Sequence, residues 1–134
     1  LWLFDMRIYC FRWECLKELL LSDLTHGILC AIGMPVIYEG VRYNCSVFCH
    51  NGHILLIRPK LYLANDGNYR ELRWFSAWKN PQKLEELQLP CMISKEISQS
   101  SAPFGDACLS FADTYISNPS LCFERVLMWI VSWC

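Results

Sequence analysis

The sequence has no excess of basic residues. Its 134 residues include 12 Lys and Arg against 13 Asp and Glu, which leaves a formal net charge of −1. Binding to nucleic acid depends on a basic patch or stripe, so no nucleic-acid partner is expected. Charged residues make up only 19% of the chain and hydrophobic residues 54%. This balance argues against intrinsic disorder, because there is ample apolar surface to bury, and the length suits one domain.

Signals for membranes, export and nucleotide phosphates are also missing. The apolar run at 126–131 is far shorter than the ~20 residues that span a bilayer, so no membrane partner is expected. The first residues contain neither a basic leader nor a small-residue cleavage site, and the expected compartment is therefore the reducing cytoplasm. No Gly-x-x-x-x-Gly-Lys-Ser/Thr loop is present, so we expect no cradle for ATP phosphates in this chain.

Cysteine is abundant, but no two cysteines have Cys-x-x-Cys spacing. The chain contains nine, and in a reducing compartment thiols act as small buried hydrophobes. Cys45, Cys49, His50 and His53 are of the residue types that bind Zn²⁺. On a strand, however, the two cysteines share a face, whereas the two histidines straddle a turn. We therefore expect core cysteines and exposed turn histidines rather than a metal site.

Apolar patterning predicts a helix and then a strand in the first part of the chain. Leu16, Leu19 and Leu20 recur at helical spacing over residues 13–21, which places them on one face. Residues 28–37 are apolar without alternation, as in a strand covered on both faces. Pro35 should mark the end of this strand or a sheet edge, since proline cannot donate to a ladder.

The clearest local signal is a β-hairpin over residues 41–57. Residues 41–49 alternate between the two faces, and Asn51-Gly52 separates them from a second β-prone run. Asn-Gly between two such runs favours a type I′ turn, in which both central residues need positive φ.

Lys60 directly follows this hairpin and opens a long segment with turn residues at 65–67. We expect an ordered loop over 61–75, of the kind in which functional residues concentrate. A lysine that ends an apolar strand holds its ammonium group at a sheet edge where α/β proteins form sites. Trp74, Phe75 and Trp78 suggest packing of this loop onto the body or, alternatively, stacking on a ligand ring.

The remaining residues have weaker patterns. We expect a short helix at 82–88, a turn at 103–106 and an alternating strand at 107–114. The run at 126–131 is apolar, β-prone and uncharged, which makes it an aggregation hazard if exposed.

Several stretches closely resemble one enzyme family. The residues concerned are Trp-Glu-Cys-Leu-Lys-Glu-Leu-Leu-Leu at 13–21, Ile-Gly-Met-Pro-Val at 32–36, Arg-Tyr-Asn-Cys at 42–45, Ile-Arg-Pro-Lys at 57–60, Leu-Ala-Asn-Asp-Gly-Asn-Tyr-Arg-Glu-Leu-Arg-Trp-Phe at 63–75 and Pro-Phe-Gly-Asp at 103–106. Together they resemble the N-terminal glutaminase domain of glutamine-dependent NAD⁺ synthetases, especially the plant type. That domain belongs to the nitrilase, or carbon–nitrogen hydrolase, superfamily.

The resemblance implies an α/β fold, an incomplete αββα sandwich, and a Glu–Lys–Cys catalytic triad. In that family the cysteine attacks the side-chain amide of glutamine, the glutamate moves protons and the lysine stabilises the oxyanion. Lys60 matches the triad lysine. Glu71 resembles the accessory glutamate, and Tyr69 is expected to help wall the glutamine pocket. A fixed cation aimed at developing negative charge is the electrostatic aid that acyl transfer needs.

The two ends depart from the family pattern. Residues 1–12 lack the stretch that carries the triad glutamate, and Cys122 lies near the expected distance for the nucleophile without its flanking glutamates. We therefore divide the chain into a divergent segment at 1–12, a partial glutaminase domain at 13–114 and a divergent apolar tail at 115–134. Both ends are expected to pack poorly.

The resemblance also defines cofactors and partners. The family's synthetase domain, which uses ATP and Mg²⁺ to amidate nicotinic acid adenine dinucleotide with ammonia, has no counterpart here, so no cofactor is expected in this chain. The sequence thus indicates a fragment of a glutamine-hydrolysing enzyme that forms homo-oligomers when full-length, with negligible activity alone. A free-standing nitrilase-type amidase and a non-catalytic remnant are the alternatives.

Overall fold

The computed structural model describes residues 2–107 and 109, with side chains from Arg7 onward. It has a mixed α/β fold, which confirms the predicted class. In chain order the elements are helix α1 (Trp2–Leu21), a 3₁₀ turn (Asp23–Thr25), strands β1 (Cys30–Tyr38), β2 (Val41–His50) and β3 (His53–Pro59), a 3₁₀ turn (Glu71–Arg73), strand β4 (Leu84–Gln88), helix α2 (Cys91–Ser94) and strand β5 (Ser101–Gly105). Among these residues, no helix combines the length and hydropathy needed to cross a bilayer.

The strands form one sheet in the order β1-β2-β3-β5-β4. All neighbours are antiparallel except β3 and β5, which are parallel and pair at Ile57 and Phe104. The predicted hairpin is confirmed as β2 and β3, and the turn residues Asn51 and Gly52 have φ of 48° and 75°. The Asn51 side chain accepts a hydrogen bond of 2.7 Å from the Gly27 amide, which ties this turn to the segment after α1.

Strand β1 forms close to the predicted place but is not covered on both faces. It lies at the edge of the sheet, and full burial is confined to the alternating residues Met34 and Val36. The expectation of a strand covered on both faces was therefore wrong, because position in the sheet and not apolar content decides coverage. Pro35 was expected either at the end of this strand or at a sheet edge, and it lies within this edge strand.

Helix α1 covers one face of the sheet and completes the core. Trp13, Leu16 and Leu20 are at most 3% exposed. The predicted apolar face is thus confirmed at Leu16 and Leu20, whereas Leu19 is half-buried. The helix begins at Trp2 rather than near Trp13. Tyr9 packs against the core and meets the Trp13 ring edge-on, so the expectation of poor packing in residues 1–12 was wrong at this residue.

Two predictions in the C-terminal half were wrong. Residues 84–88 of the stretch expected to be a helix form strand β4, and residues 103–105 of the expected turn belong to strand β5. Both are short strands whose formation depends on pairing with each other and with β3, which local patterns do not report. Helix α2 was not predicted. The strand expected at 107–114 lies almost wholly outside the described residues, and the tail at 115–134 lies outside them altogether.

Candidate functional site

Lys60 is held by its backbone between two segments. Its amide donates a hydrogen bond of 2.9 Å to the carbonyl of Asn44 on β2, and its own carbonyl accepts one of 2.9 Å from the Trp78 amide. The residue directly follows β3, at the predicted end of the strand. Its side chain is 45% exposed, so the backbone of Lys60 is held in place while its ammonium group stays open to a ligand.

Glu71 folds back onto Lys60 from the 3₁₀ turn of the following loop. Its two carboxylate oxygens lie 2.9 and 3.0 Å from Lys60 Nζ. Oε1 also accepts a hydrogen bond of 2.8 Å from the Asn44 side-chain amide, and Oε2 accepts one from the Ala64 backbone amide. The structure thus brings Lys60, Glu71 and Asn44 into one cluster, called here the Lys60 cluster.

The surroundings of Glu71 keep it ionised. Burial raises the pKa of this carboxyl group, but the hydrogen bonds from Ala64, Lys60 and Asn44 outweigh it, so that the net pKa lies below the ordinary value. A carboxylate with a lowered pKa is a poor proton shuttle near neutral pH. Glu71 is therefore suited to orienting the Lys60 ammonium group, which in turn can stabilise negative charge that develops beside it.

The segment between Lys60 and Glu71 is an ordered loop, as predicted. The Asp66 side chain accepts a hydrogen bond from the Gly67 amide at 2.8 Å. Arg70 Nη1 donates one to the Gly67 carbonyl at 2.6 Å. The Glu71 amide returns to the Ala64 carbonyl at 3.1 Å. These internal contacts let the loop carry Glu71 back to the end of β3.

An open groove of about 310 Å³ lies beside Lys60. It is lined by Ser46, Arg58, Pro59, Lys60, Leu61 and Tyr62. Arg58 is paired with Asp106 at 2.7 Å and Lys60 with Glu71. Tyr69 is 50% exposed but is not among the residues that line this groove, so its role in a glutamine pocket stays a prediction.

The cysteines of the hairpin are core residues as expected, whereas only one of its two histidines is exposed. Cys45 and Cys49 are at most 2% exposed, and burial raises the pKa of both thiols, that of Cys49 to about 12. His50 is half-buried and His53 exposed. Within the described residues, no three His, Cys, Asp or Glu side chains are placed to hold a metal ion.

The three aromatic residues after the loop have different environments. Trp78 is 5% exposed, and its indole donates to the Asn80 carbonyl at 2.7 Å, so packing of the loop onto the body is confirmed at this residue. Phe75 is half-buried. Trp74 is 64% exposed and remains available for other contacts.

Sequence reasoning found two members of the Lys60 cluster and missed the third. Asn44 was part of the matching stretch Arg-Tyr-Asn-Cys, and that stretch was the available signal. Cys122, the candidate nucleophile, lies outside the described residues. Among the described residues, Lys60 is the one that the resemblance matches to a triad position, and this role stays a prediction.

Comparisons with known proteins identify homologues. The chain is 61% identical over 105 residues to the glutamine-dependent NAD(+) synthetase of Arabidopsis thaliana, a match that covers 78% of this chain and 14% of that protein. The enzyme of the same name from Oryza sativa subsp. indica is 56% identical over 79% of this chain and 14% of its own length. The human one is 50% identical over 83% of this chain and 16% of its own length.

A solved structure resembles the fold. The crystal structure of a glutamine-dependent NAD(+) synthetase from Cytophaga hutchinsonii superposes with a TM-score of 0.57 at 26% identity, covering 81% of this chain and 16% of that one. No family model matches the chain. The resemblance found in the sequence is thus confirmed: the chain is homologous to a segment of glutamine-dependent NAD(+) synthetases and spans about one seventh of their length.

Proposed function

We propose that this chain is the part of a glutamine-dependent NAD⁺ synthetase that supplies the oxyanion-stabilising lysine of its glutaminase site. The Lys60 cluster carries this proposal. An ammonium group open to solvent is held by an ionised glutamate at the end of a sheet strand, in a segment homologous to enzymes named for their dependence on glutamine.

Lys60 contributes by electrostatics rather than by proton transfer. When a cysteine thiolate attacks the side-chain amide carbonyl of glutamine, the oxygen becomes negative, and a fixed cation lowers the energy of that intermediate. Collapse of the intermediate releases ammonia, and water then frees glutamate from the thioester. Glu71 holds the cation, and Tyr69 borders the bound amide. Cys122 is the candidate nucleophile within this chain.

The other partners belong to the parent protein. Ammonia passes to a synthetase domain that uses ATP and Mg²⁺ to amidate nicotinic acid adenine dinucleotide, and this chain binds no cofactor itself. We assign the parent to the cytoplasm as a homo-oligomer, without nucleic-acid or membrane partners. The homology of nearly four fifths of the chain to NAD(+) synthetases favours this assignment over a free-standing amidase.

The decisive experiment compares glutamine and ammonium as nitrogen sources in the parent protein, in which the rest of the glutaminase domain and the synthetase domain accompany this segment. Lys60→Ala is expected to lower glutamine-dependent NAD formation by at least about 100-fold, the range seen when one oxyanion donor is removed, while ammonium-dependent formation stays unchanged. Lys95→Ala, which alters an exposed lysine after α2, is the matched control. Equal glutamine-dependent rates in Lys60→Ala and wild type would refute the proposal.

The chain alone is expected to hydrolyse glutamine negligibly. Triad residues act as a unit, so loss of the base and of the usual surroundings of the nucleophile removes most of the rate, and a cysteine needs an adjacent base or a lowered pKa for activation. Ammonia release by the purified chain, beside Lys60→Ala and Cys122→Ala, measures this. Robust turnover abolished by both substitutions would instead identify Cys122 as a working nucleophile.

A further inference from the structure

Asn44 contacts both members of the Lys60–Glu71 ion pair through different atoms. Its backbone carbonyl accepts the Lys60 amide hydrogen bond at 2.9 Å, and its side-chain Nδ2 donates to Glu71 Oε1 at 2.8 Å. The residue lies on β2, paired with Pro35 of the edge strand. One residue of the sheet therefore sets the position of the lysine backbone and the position of the carboxylate that the lysine side chain meets.

The carboxylate needs such an anchor because the lysine cannot supply one. A lysine ammonium is a point charge on a flexible four-carbon stem, and this one is 45% exposed, so water can replace its contacts. Oε2 of Glu71 has a rigid donor in the Ala64 amide. The Asn44 amide is the corresponding donor at Oε1, and with both in place the carboxylate plane cannot rotate freely.

We propose that Asn44 is a positioning residue that acts through Glu71 to aim the Lys60 ammonium group. The statement that the ammonium group so oriented stabilises an oxyanion rests on the proposed function. The positioning itself does not, and it is measurable in the chain without turnover.

The first test needs no variant. In an NMR pH titration of the full chain, the chemical shift of the Asn44 side-chain amide protons is expected to follow protonation of Glu71, because that amide donates to the titrating oxygen. The side-chain amide of Asn80, an exposed residue, is the internal control and should not follow it. An Asn44 amide that does not respond to Glu71 overturns the proposal.

The second test uses Asn44→Asp and Asn44→Ala, with Asn80→Asp and Asn80→Ala as matched controls. Asn44→Asp replaces a donor by a second carboxylate, so the proton affinity of Glu71 should rise by at least about tenfold, the equivalent of one charge-assisted hydrogen bond. Asn44→Ala should increase the acylation rate of the Lys60 amine several-fold relative to Lys95, as mapped by mass spectrometry. A purely structural role would lower the melting temperature and leave these two local readouts unchanged, which would contradict the proposal.

Failure of this proposal and failure of the proposed function are distinguishable. In the parent protein, Asn44→Ala is expected to lower kcat for the glutamine-dependent reaction and to leave the ammonium-dependent reaction unchanged. If Lys60→Ala has no effect there, the proposed function fails, whatever the NMR titration shows. If Lys60→Ala abolishes the glutamine-dependent rate but Asn44→Ala does not lower it, only the role of Asn44 is refuted.

Discussion

Substitution of Glu71 by Gln tests whether the Lys60 cluster stabilises the fold through charge. The variant keeps the shape of the side chain but replaces one carboxylate oxygen by an NH₂ group. The amide of Asn44 or the ammonium group of Lys60 then faces a donor where it met an acceptor. Ala64 keeps its partner if the remaining oxygen turns toward it.

The expected loss is about 2 kcal/mol of unfolding free energy. The Asn44 hydrogen bond, made to a carboxylate whose side chain is only 18% exposed, accounts for about 1.5 kcal/mol. The ion pair adds only about 0.5 kcal/mol, because Lys60 is 45% exposed and solvent screens the charge. In a chain of this size, about 2 kcal/mol corresponds to a fall of roughly 6–10 °C in melting temperature.

Lower pH should remove the difference in stability between wild type and Glu71→Gln. The pKa of Glu71 in the folded chain lies below its ordinary value of 4.5, so its contribution to stability is complete above the unfolded-state pKa. That contribution is lost as pH falls through the folded-state pKa. Thermal melts of wild type and Glu71→Gln at pH 7 and at decreasing pH, with Glu96→Gln at an exposed site as control, measure the gap. Equal melting temperatures at pH 7, or a gap that persists in acid, would refute the reasoning.

Two further predictions concern the core and the backbone. Phe104 is fully buried against an aromatic cluster. Its substitution by Ala should lower the free energy of unfolding by about 3–5 kcal/mol. Urea denaturation measures this, and Leu84→Ala at an exposed site should change stability by less than about 0.5 kcal/mol. Gly105 has a φ of +139°, and an added Cβ would lie 2.1 Å from the Lys83 carbonyl oxygen. Gly105→Ala should therefore lower the free energy of unfolding by about 3 kcal/mol or more. Gly67→Ala, strained only by its φ of +59°, should cost about 1–2 kcal/mol; equal melting temperatures for the two glycine variants would contradict this account.

The predictions that succeeded depend on short-range physics. The hairpin follows from alternation and from the Asn51-Gly52 turn, since few residue pairs adopt positive φ at both positions. The apolar face of α1 follows from helical spacing. Lys60 was singled out by its position after an apolar strand, and its assigned role came from the resemblance to a known family.

The predictions that failed concerned short segments whose secondary structure depends on pairing with neighbouring strands. The stretch at 84–88 contains two glutamates and two leucines, a composition that suits a helix as well as a strand. It becomes β4 because β5 lies beside it, and β5 in turn pairs with β3. Pro103 and Gly105 are typical of a turn when only local sequence is considered. They lie in β5 because this strand pairs with β3 on one side and with β4 on the other.

The face of α1, the hairpin turn and the chemical identity of the site residues can be predicted from the chain alone, because helical periodicity, turn geometry and side-chain type are properties of neighbouring residues. Asn44 and Glu71 lie 27 positions apart, and it is long-range packing that brings them together at Lys60. That contact requires the β2–β3 register and the return of the loop after β3 together. The depressed pKa of Glu71 is likewise a tertiary property, since it arises from donors that three separate segments bring to one carboxylate.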